Sequence, residues 1–372
     1  MRILYGVNGE GMGHATRSEL VISDLLRDHE VRVVASGAAH RYLSGVFEDL
    51  EVSQVFGPSF AMDQGRIQRW ASFTGTLASA RKQLPANVRD WISTIDKWKP
   101  DVAVSDFEPL TGNYARLSST PLVCVDNIHM IDRCRHDREI TAGAIEDVQL
   151  AKAVTRAMVP HAGDYVIPTF FYPEVSKGRT SLVPSILRKV IIEAEPTRGD
   201  HLVVYSGGGD DLIDTLRDAP LPVHLYGMRD GDQVGTTDGA IEYRPRSIDG
   251  FLEDLVSSRG VITGGGFSLL SEAVYLGKPT LAMPLKGQFE QLMNARYLER
   301  EGYGTCAMAI GPDELGRFLN GLDGFHEKLA DYSQDGNSIA LKVIRETVEA
   351  AAGKTRRDRK KDRLKARRVP GL

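Results

Sequence analysis

The chain has 372 residues, 42% of them hydrophobic and 26% charged, with 46 Lys and Arg against 50 Asp and Glu. That composition excludes a disordered chain. No apolar run approaches the roughly 18 residues of a membrane-spanning helix, and the length suits two domains of roughly 100–200 residues. The opening Met1–Asn8 is broken too soon for a secretory signal. Three cysteines, Cys124, Cys134 and Cys306, form no CxxC pair, which argues against a disulfide scaffold or zinc module and for a reducing cytoplasm.

The net charge of −4 is uneven. Lys354 to Arg368 holds ten Lys/Arg and two Asp, leaving 36 basic against 48 acidic residues elsewhere, or −12. An acidic body with a basic tail does not read as a nucleic-acid enzyme. The tail reads either as a solvated terminus or as a contact with an anionic membrane surface, placing the protein at the inner face of the membrane.

In chain order, an apolar strand at 2–7 runs into Gly9-Glu10-Gly11-Met12-Gly13-His14, then into a helix with Leu20, Val21, Leu25 and Leu26 at helical spacing, then into a strand at 31–35. This is a βαβ unit. A helix around 77–98 precedes a strand at 101–106, and Pro121–Val125 is another strand. A second series starts near 201, with strands at 201–205, 222–227, 261–263 and 280–284, and helices at 268–275, 287–300 and 338–351. The stretch 174–200, with Pro184, Pro196, Gly178 and Gly199, is the weakest patterned and predicts the interdomain connection. The reading is two doubly wound α/β domains facing each other across a cleft. They cover 1–183 and 184–352, with 353–372 as the tail, and the last helix is open to packing back on the first domain. Ligands of such sheets bind at the carboxyl ends of the strands.

The first glycine loop is not a dinucleotide fingerprint. His14 stands where the third glycine belongs, and Ser36-Gly37 stands where an acidic residue should hold a ribose. Gly353-Lys354-Thr355 lacks the first glycine and preceding strand of a P-loop. No cofactor is expected. His14, after a tight turn at a helix start that favours a neutral imidazole, reads either as a catalytic base or as a helix cap. The second loop, Gly264-Gly265-Gly266-Phe267-Ser268, offers backbone N–H groups at a helix N-terminus, which suits a diphosphate. Glu272, one turn beyond Ser268, could accept from a ribose diol; the plainer reading is a solvated glutamate. Asp106 and Glu108 end a strand and could touch substrate. Tyr205 to Gly209, including Gly207 and Gly208, ends the first strand of the second series and could approach a phosphate. Asp230-Gly231-Asp232 reads as a turn rather than a metal motif. His129 and His136, with Cys134 between them, lack a second pair for a metal.

The stretch Met1-Arg2-Ile3-Leu4-Tyr5-Gly6 … Gly9-Glu10-Gly11-Met12-Gly13-His14-Ala15-Thr16-Arg17-Ser18 resembles the start of the GT-B glycosyltransferases. It is most similar to the group labelled as teichoic acid biosynthesis proteins. Gly264-Gly265-Gly266-Phe267-Ser268 … Glu272-Ala273 … Gly277-Lys278-Pro279 … Glu290-Gln291 … Asn294-Ala295 resembles their donor-binding half, shared with the peptidoglycan N-acetylglucosaminyltransferase and the UDP-glucuronosyltransferases. The resemblance implies the GT-B fold and inverting, metal-independent transfer of a sugar from a nucleotide donor, UDP first, to a hydroxyl acceptor of the cell envelope. By match, His14 is the base, with Gly11, Gly13 and Arg17 beside it. Gly264, Gly265, Gly266 and Ser268 cradle the diphosphate, Glu272 holds the ribose, and Glu290 and Gln291 meet the donor sugar. The loop with Arg246 and Ile248 faces the nucleobase. Gly264-Gly265-Gly266-Phe267 replaces the His-Cys-Gly-Trp of the UDP-glucuronosyltransferases, and Glu290 stands where relatives often carry Asp. Rival readings are a nucleotide-sugar hydrolase using the same histidine on water, a 2-epimerase, for which no acid/base set stands out, and a non-catalytic nucleotide-sugar-binding protein.

Overall fold

The structure is a computed structural model and describes residues 1–55, 86–160, 162–206, 209–228, 234–245 and 247–353. The chain divides into two compact units. The first comprises Met1–His136, Gln149–Arg188 and the chain from Gly336 onward. The second comprises Asp137–Val148 and Lys189–Asp335.

In the first unit come β1 (Arg2–Val7), α1 (Met12–Leu25), β2 (Glu30–Ala35), α2 (Gly37–Val46), β3 (Val52–Gln54), α3 (Ala86–Trp98), β4 (Val102–Asp106), α4 (Pro109–Ser118), β5 (Leu122–Val125) and α5 (Met130–Arg133). After α6 (Arg138–Thr141) and α7 (Ile145–Met158) follow β6 (Asp164–Thr169) and β7 (Thr180–Pro184). The sheet order is β3-β2-β1-β4-β5-β6-β7, parallel throughout. Strand faces covered on both sides explain why β1, β4 and β5 read as unbroken apolar runs instead of alternating ones. Strand order reverses between β1 and β4, which makes that junction the switch point where a doubly wound sheet opens a crevice.

The second unit carries α8 (Lys189–Ile192), β8 (Leu202–Tyr205), α9 (Asp210–Arg217), β9 (Val223–Tyr226), β10 (Thr237–Asp238), β11 (Ile241–Arg244), α10 (Ile248–Ser257), β12 (Gly260–Thr263), α11 (Phe267–Tyr275), β13 (Thr280–Ala282), α12 (Phe289–Arg300), β14 (Gly304–Cys306) and α13 (Pro312–Ala330). Its sheet order is β10-β11-β9-β8-β12-β13-β14, and only the β10–β11 pair is antiparallel. The switch point lies between β8 and β12, so the 264–266 loop after β12 leaves the sheet there.

The last helix, α14 (Ser338–Ala352), belongs to the first unit. Ala340, Ile344, Val348 and Ala351 form its buried stripe and join Ile3, Tyr5, Val33 and Val104 in one core. Arg345 Nε donates to Asp24 of α1 at 3.1 Å.

One expectation needs correcting. The stretch 174–200 is not all connection, because β7 pairs with β6 along its full length and the chain leaves the first unit only after Arg188. Pro184 closes β7 at the edge of the sheet, where a missing N–H costs no ladder bond. The part of the 77–98 helix before Ala86 lies outside the described residues, as do Asp230-Gly231-Asp232 and the tail from Lys354.

Candidate functional site

At the switch point of the first sheet, the loop after β1 is shaped by two glycines. Gly9 lies against the chain after β2, where a Cβ would meet the Ser36 carbonyl oxygen at 2.4 Å. Gly11 takes φ +71° at the cap of α1, a region that disfavours side chains, and no side chain caps the helix. Gly13 and His14 therefore open α1 beside free N–H groups.

His14, Arg17 and Ser18 project from the first turns of α1 onto one carboxylate. His14 Nδ1 lies 2.7 Å from Asp106 Oδ1. Arg17 donates through Nε at 3.0 Å and through Nη2, and Ser18 Oγ donates at 2.9 Å. Asp106, the last residue of β4, is fully buried. Burial alone would raise its pKa, but the Arg17 charge and His14 hold it down at about 2. Burial likewise opposes the charge on Arg17, and Asp106 more than offsets it. Arg17 Nη2 also lies 3.0 Å from His14 Nδ1. If it donated there, the bare nitrogen would face a carboxylate oxygen at 2.7 Å, a lone pair against a lone pair. The consistent assignment is Nδ1–H donating to Asp106. That leaves Nε2 with a lone pair and without a protein partner among the described residues.

Sequence reasoning offered Asp106 as a substrate contact; its oxygens are instead spent on His14, Arg17 and Ser18. Glu108 is also turned inward. It caps α4 by accepting from Leu110 N at 2.8 Å and Thr111 N at 2.6 Å, and burial pushes its carboxyl up.

In the second unit, Gly264, Gly265 and Gly266 join β12 to α11. Gly266 caps the helix without any side-chain bond, so the first N–H groups of α11 have no side-chain acceptor at its cap. Gly265 is held against α12, where a Cβ would meet the Gln291 carbonyl oxygen at 2.2 Å. Asn294, buried, ties its Nδ2 to Gly265 O at 3.1 Å and Glu290 Oε1 at 2.9 Å. Ser268 is half-buried in the first turn of α11 and Glu272 is buried one turn on. Gln291 is occupied within its own loop, accepting from Leu285 N at 3.0 Å and donating to Gln288 at 2.9 Å. Ile248, which opens α10, is largely exposed. Gly207, Gly208 and Arg246 lie outside the described residues.

Two trios have metal-like spacing among the described residues: Cys124 with Asp126 and His129, and His201 with His224 and Asp254. The second is hostile to a cation, because the Arg244 guanidinium stands 3.2 Å from His224 Nε2 and 3.4 Å from Asp254. His129 and His136, weighed together in the sequence, have separate partners: His129 pairs with Asp126 and His136 with the Met130 carbonyl. The Asp126–His129 pair was not anticipated, although its i, i+3 spacing after an apolar strand was a readable signal.

A sequence profile described as glycosyl transferase family 1 matches residues 1–323. The chain belongs to this family. An "Uncharacterized glycosyltransferase" of Methanosarcina acetivorans is 25% identical over 342 residues, covering 85% of this chain and 88% of the relative. A second, from Methanopyrus kandleri, is 36% identical over 134 residues, 36% of each chain. Among solved structures, the glycosyltransferase of kitacinnamycin superposes with a TM-score of 0.63 at 16% identity over 99% of both chains. MurG of Acinetobacter baumannii gives 0.59 at 13% identity, over 93% of this chain and 100% of that one. These likenesses establish the GT-B fold, and the family establishes the protein as a glycosyltransferase. No helix among the described residues is long and apolar enough to cross a membrane.

Proposed function

We propose that this glycosyltransferase moves a sugar, with inversion and without a metal, from a nucleoside diphosphate donor, UDP first, to a hydroxyl acceptor of the cell envelope. One observation carries the reading. A partly exposed histidine at the switch point has its Nδ1–H fixed by a fully buried carboxylate, which leaves Nε2 basic. That is the arrangement a general base needs. The acceptor O–H gives its proton to His14 Nε2, the oxygen bonds to the anomeric carbon, and the bond from that carbon to the diphosphate breaks on the opposite face. Charge builds on the leaving diphosphate, and the backbone N–H groups of the 264–266 loop and the N-terminus of α11 are assigned as its donors. Glu272 is assigned to the ribose and Glu290 to the donor sugar. Support for the nucleotide class comes from spinosyn rhamnosyltransferase SpnG, a protein of similar fold solved with thymidine diphosphate. The basic stretch from Lys354 to Arg368 is assigned to an anionic membrane surface, where a lipid-linked acceptor would lie.

The test is a thermal-shift panel of UDP, TDP and GDP. Stabilisation by one of them, lost in Glu272→Ala, supports the donor site. His14→Gln should keep that stabilisation and lose turnover. A His14→Gln enzyme that still turns over overturns the base assignment, and turnover with water alone would turn the reading to a hydrolase. Deleting 354–372 should abolish binding to anionic vesicles; unchanged binding at low salt removes the membrane assignment.

A further inference from the structure

Next to the His14–Asp106 pair, one strand along the same sheet, stands a second histidine–carboxylate pair. β5 lies beside β4 with Ser105 level with Cys124, so the loops carrying Asp106 and Asp126 leave the sheet at nearly the same height. Asp126 is fully buried and His129 is 3% exposed. His129 Nδ1 lies 2.9 and 2.7 Å from the two Asp126 oxygens, and its backbone N–H donates to Oδ1 at 2.9 Å. The carboxylate thus fixes Nδ1–H and leaves a lone pair on Nε2, which has no protein partner among the described residues. In the same loop as His129, Asn127 is 2% exposed. Its Nδ2 donates to Pro168 O at 3.1 Å, and its Oδ1 is buried without a partner.

A buried acceptor nearly always finds a donor, so Asn127 Oδ1 without one calls for a reason. Packing alone does not give it. The His129 ring does fill space, 4.9 Å from Tyr165 and 5.9 Å from Phe107. An apolar ring would fill that space without burying a carboxylate beneath it, which carries a desolvation penalty. A metal on Cys124, Asp126 and His129 is disfavoured as well: both carboxylate oxygens already face Nδ1–H, and burial pushes the Cys124 thiol well above its usual range. The loop is also strained toward this arrangement. Phe107, between Asp106 and Glu108, takes φ +51°, its carbonyl accepts from Asn8 Nδ2 at 3.1 Å, and its ring meets His129. Such strain persists where the surroundings over-determine it, commonly at functional sites.

We propose that His129 Nε2 and Asn127 Oδ1 form an acceptor subsite that receives hydrogen bonds from further hydroxyls of the acceptor, with Asp126 as the positioning residue, so that the acceptor is a polyhydroxylated, sugar-like molecule and not a simple alcohol. The inference rests on the transferase reading above. Both atoms are acceptors, so the ligand must supply donors; hydroxyls do so without bringing charge beside the buried Asp126 carboxylate. The His14 ring is held on Asp106 at the end of β4 and the His129 ring on Asp126 just past β5, so the two pairs stand one strand spacing apart, or about 5 Å. Neighbouring hydroxyls of one pyranose ring can meet both imidazoles across that distance.

The experiment uses the full chain with isotope-labelled histidine rings, His14 and His129 being assigned from His14→Gln and His129→Gln. Methyl glucoside, methyl mannoside and methyl N-acetylglucosaminide are titrated in parallel with cyclohexanol and with a cyclohexylammonium salt. At least one glycoside should shift the His129 ring saturably, and cyclohexanol should not. His129→Gln, whose Oε1 can still accept, should bind within about threefold of the parent, whereas His129→Phe and Asp126→Asn should bind at least tenfold more weakly while melting within a few degrees of it. The proposal is overturned if no glycoside moves His129, if cyclohexanol or the ammonium salt moves it equally, if His129→Phe binds as well as His129→Gln, or if Zn²⁺ binds in a manner that His129→Gln abolishes. Diphosphate stabilisation is measured on the same samples. Glycosides that move His14 alone, with stabilisation intact, sink this subsite and leave the transferase reading standing; loss of both sinks both.

Discussion

Asp106→Asn keeps the size of the side chain and removes its charge. The carboxylate receives His14 Nδ1, Arg17 Nε and Nη2, and Ser18 Oγ. An amide offers one oxygen and turns an NH2 toward the remaining donors. Arg17, only 5% exposed, is left charged and without its partner. Removing one member of a buried pair costs about 3–5 kcal/mol. A second route gives the same order. A carboxyl that ionises near 2 instead of 3.8 contributes about 2 kcal/mol to folding at neutral pH. The larger figure adds the stranded guanidinium. The sign follows from the lowered value: this stability is complete above about pH 4 and is lost as pH falls toward 2, so the gap between parent and variant should close in that window. At roughly 2–4 °C per kcal/mol the midpoint should fall by about 10 °C at pH 7. Turnover should also drop about 10²–10⁴-fold, because an NH2 facing Nδ1 selects the tautomer with a proton on Nε2, which can no longer accept one. Thermal melts at pH 7 and pH 3, with nucleoside diphosphate release from the donor chosen by the thermal-shift panel, read both effects. His14→Gln is the control: it should lose turnover and shift the midpoint by no more than a few degrees, since this side chain is 17% exposed. An Asp106→Asn enzyme melting within about 1 °C of the parent or turning over at the parent rate would refute this account of the pair.

Three further outcomes are expected. Gly265→Ala drives a Cβ into the Gln291 backbone carbonyl, 2.2 Å away; the loop or α12 must move, with a loss of about 1–3 kcal/mol and of diphosphate stabilisation, and a variant that binds UDP or TDP normally would refute the assigned cradle. Ile344→Ala removes the centre of the α14 stripe, where the side chain is 1% exposed, and should cost about 2–5 kcal/mol in urea unfolding; a change under about 1 kcal/mol would mean that α14 is not part of the first core. Lys278 is buried, donates to Thr197 O and to Ser258 O at 2.8 Å, and burial lowers its pKa to about 8 from 10.5. The unfolded chain therefore holds the extra proton between those values, so stability should rise with pH from about 8 to 10.5 relative to Lys278→Met, by up to about 3 kcal/mol; parallel curves would refute it.

Most elements were legible because parallel strands buried on both faces leave short Val/Ile/Leu runs ending in Gly, Asp or Ser. The strands at 2–7, 31–35, 101–106 and 261–263 fall within a residue or so of β1, β2, β4 and β12. What stayed hidden was weakly patterned or edge-lying. β7 was read as connection because its central residues Ser181, Leu182 and Val183 are flanked by Pro184 and by Gly178-Arg179, and only its pairing with β6 makes it a strand. The helix 338–351 was legible as a helix with its packing on the first domain left open, and Ala351 and Ile344 lie in the first core.

The site divides in the same way. His14 stood out because a histidine follows a glycine turn and opens a helix, all within one local stretch. Its dependence on Asp106 is a contact across 92 residues, and it exists because β4 inserts beside β1 where the strand order turns. Asp106 looked like a substrate-facing carboxylate at a strand end, as did Glu108 two residues later. The structure gives them opposite local tasks, one holding an imidazole and the other an α4 cap, and the difference comes from Phe107, whose left-handed backbone turns the chain between them. His129 illustrates the converse. Its partner is only three residues away, yet the pair draws attention only when β5 is known to lie next to β4. A strand-end carboxylate in this fold is therefore best judged by which strand stands beside it: at the switch point it can orient a residue from the facing helix, and one strand further out it can orient a residue of its own loop.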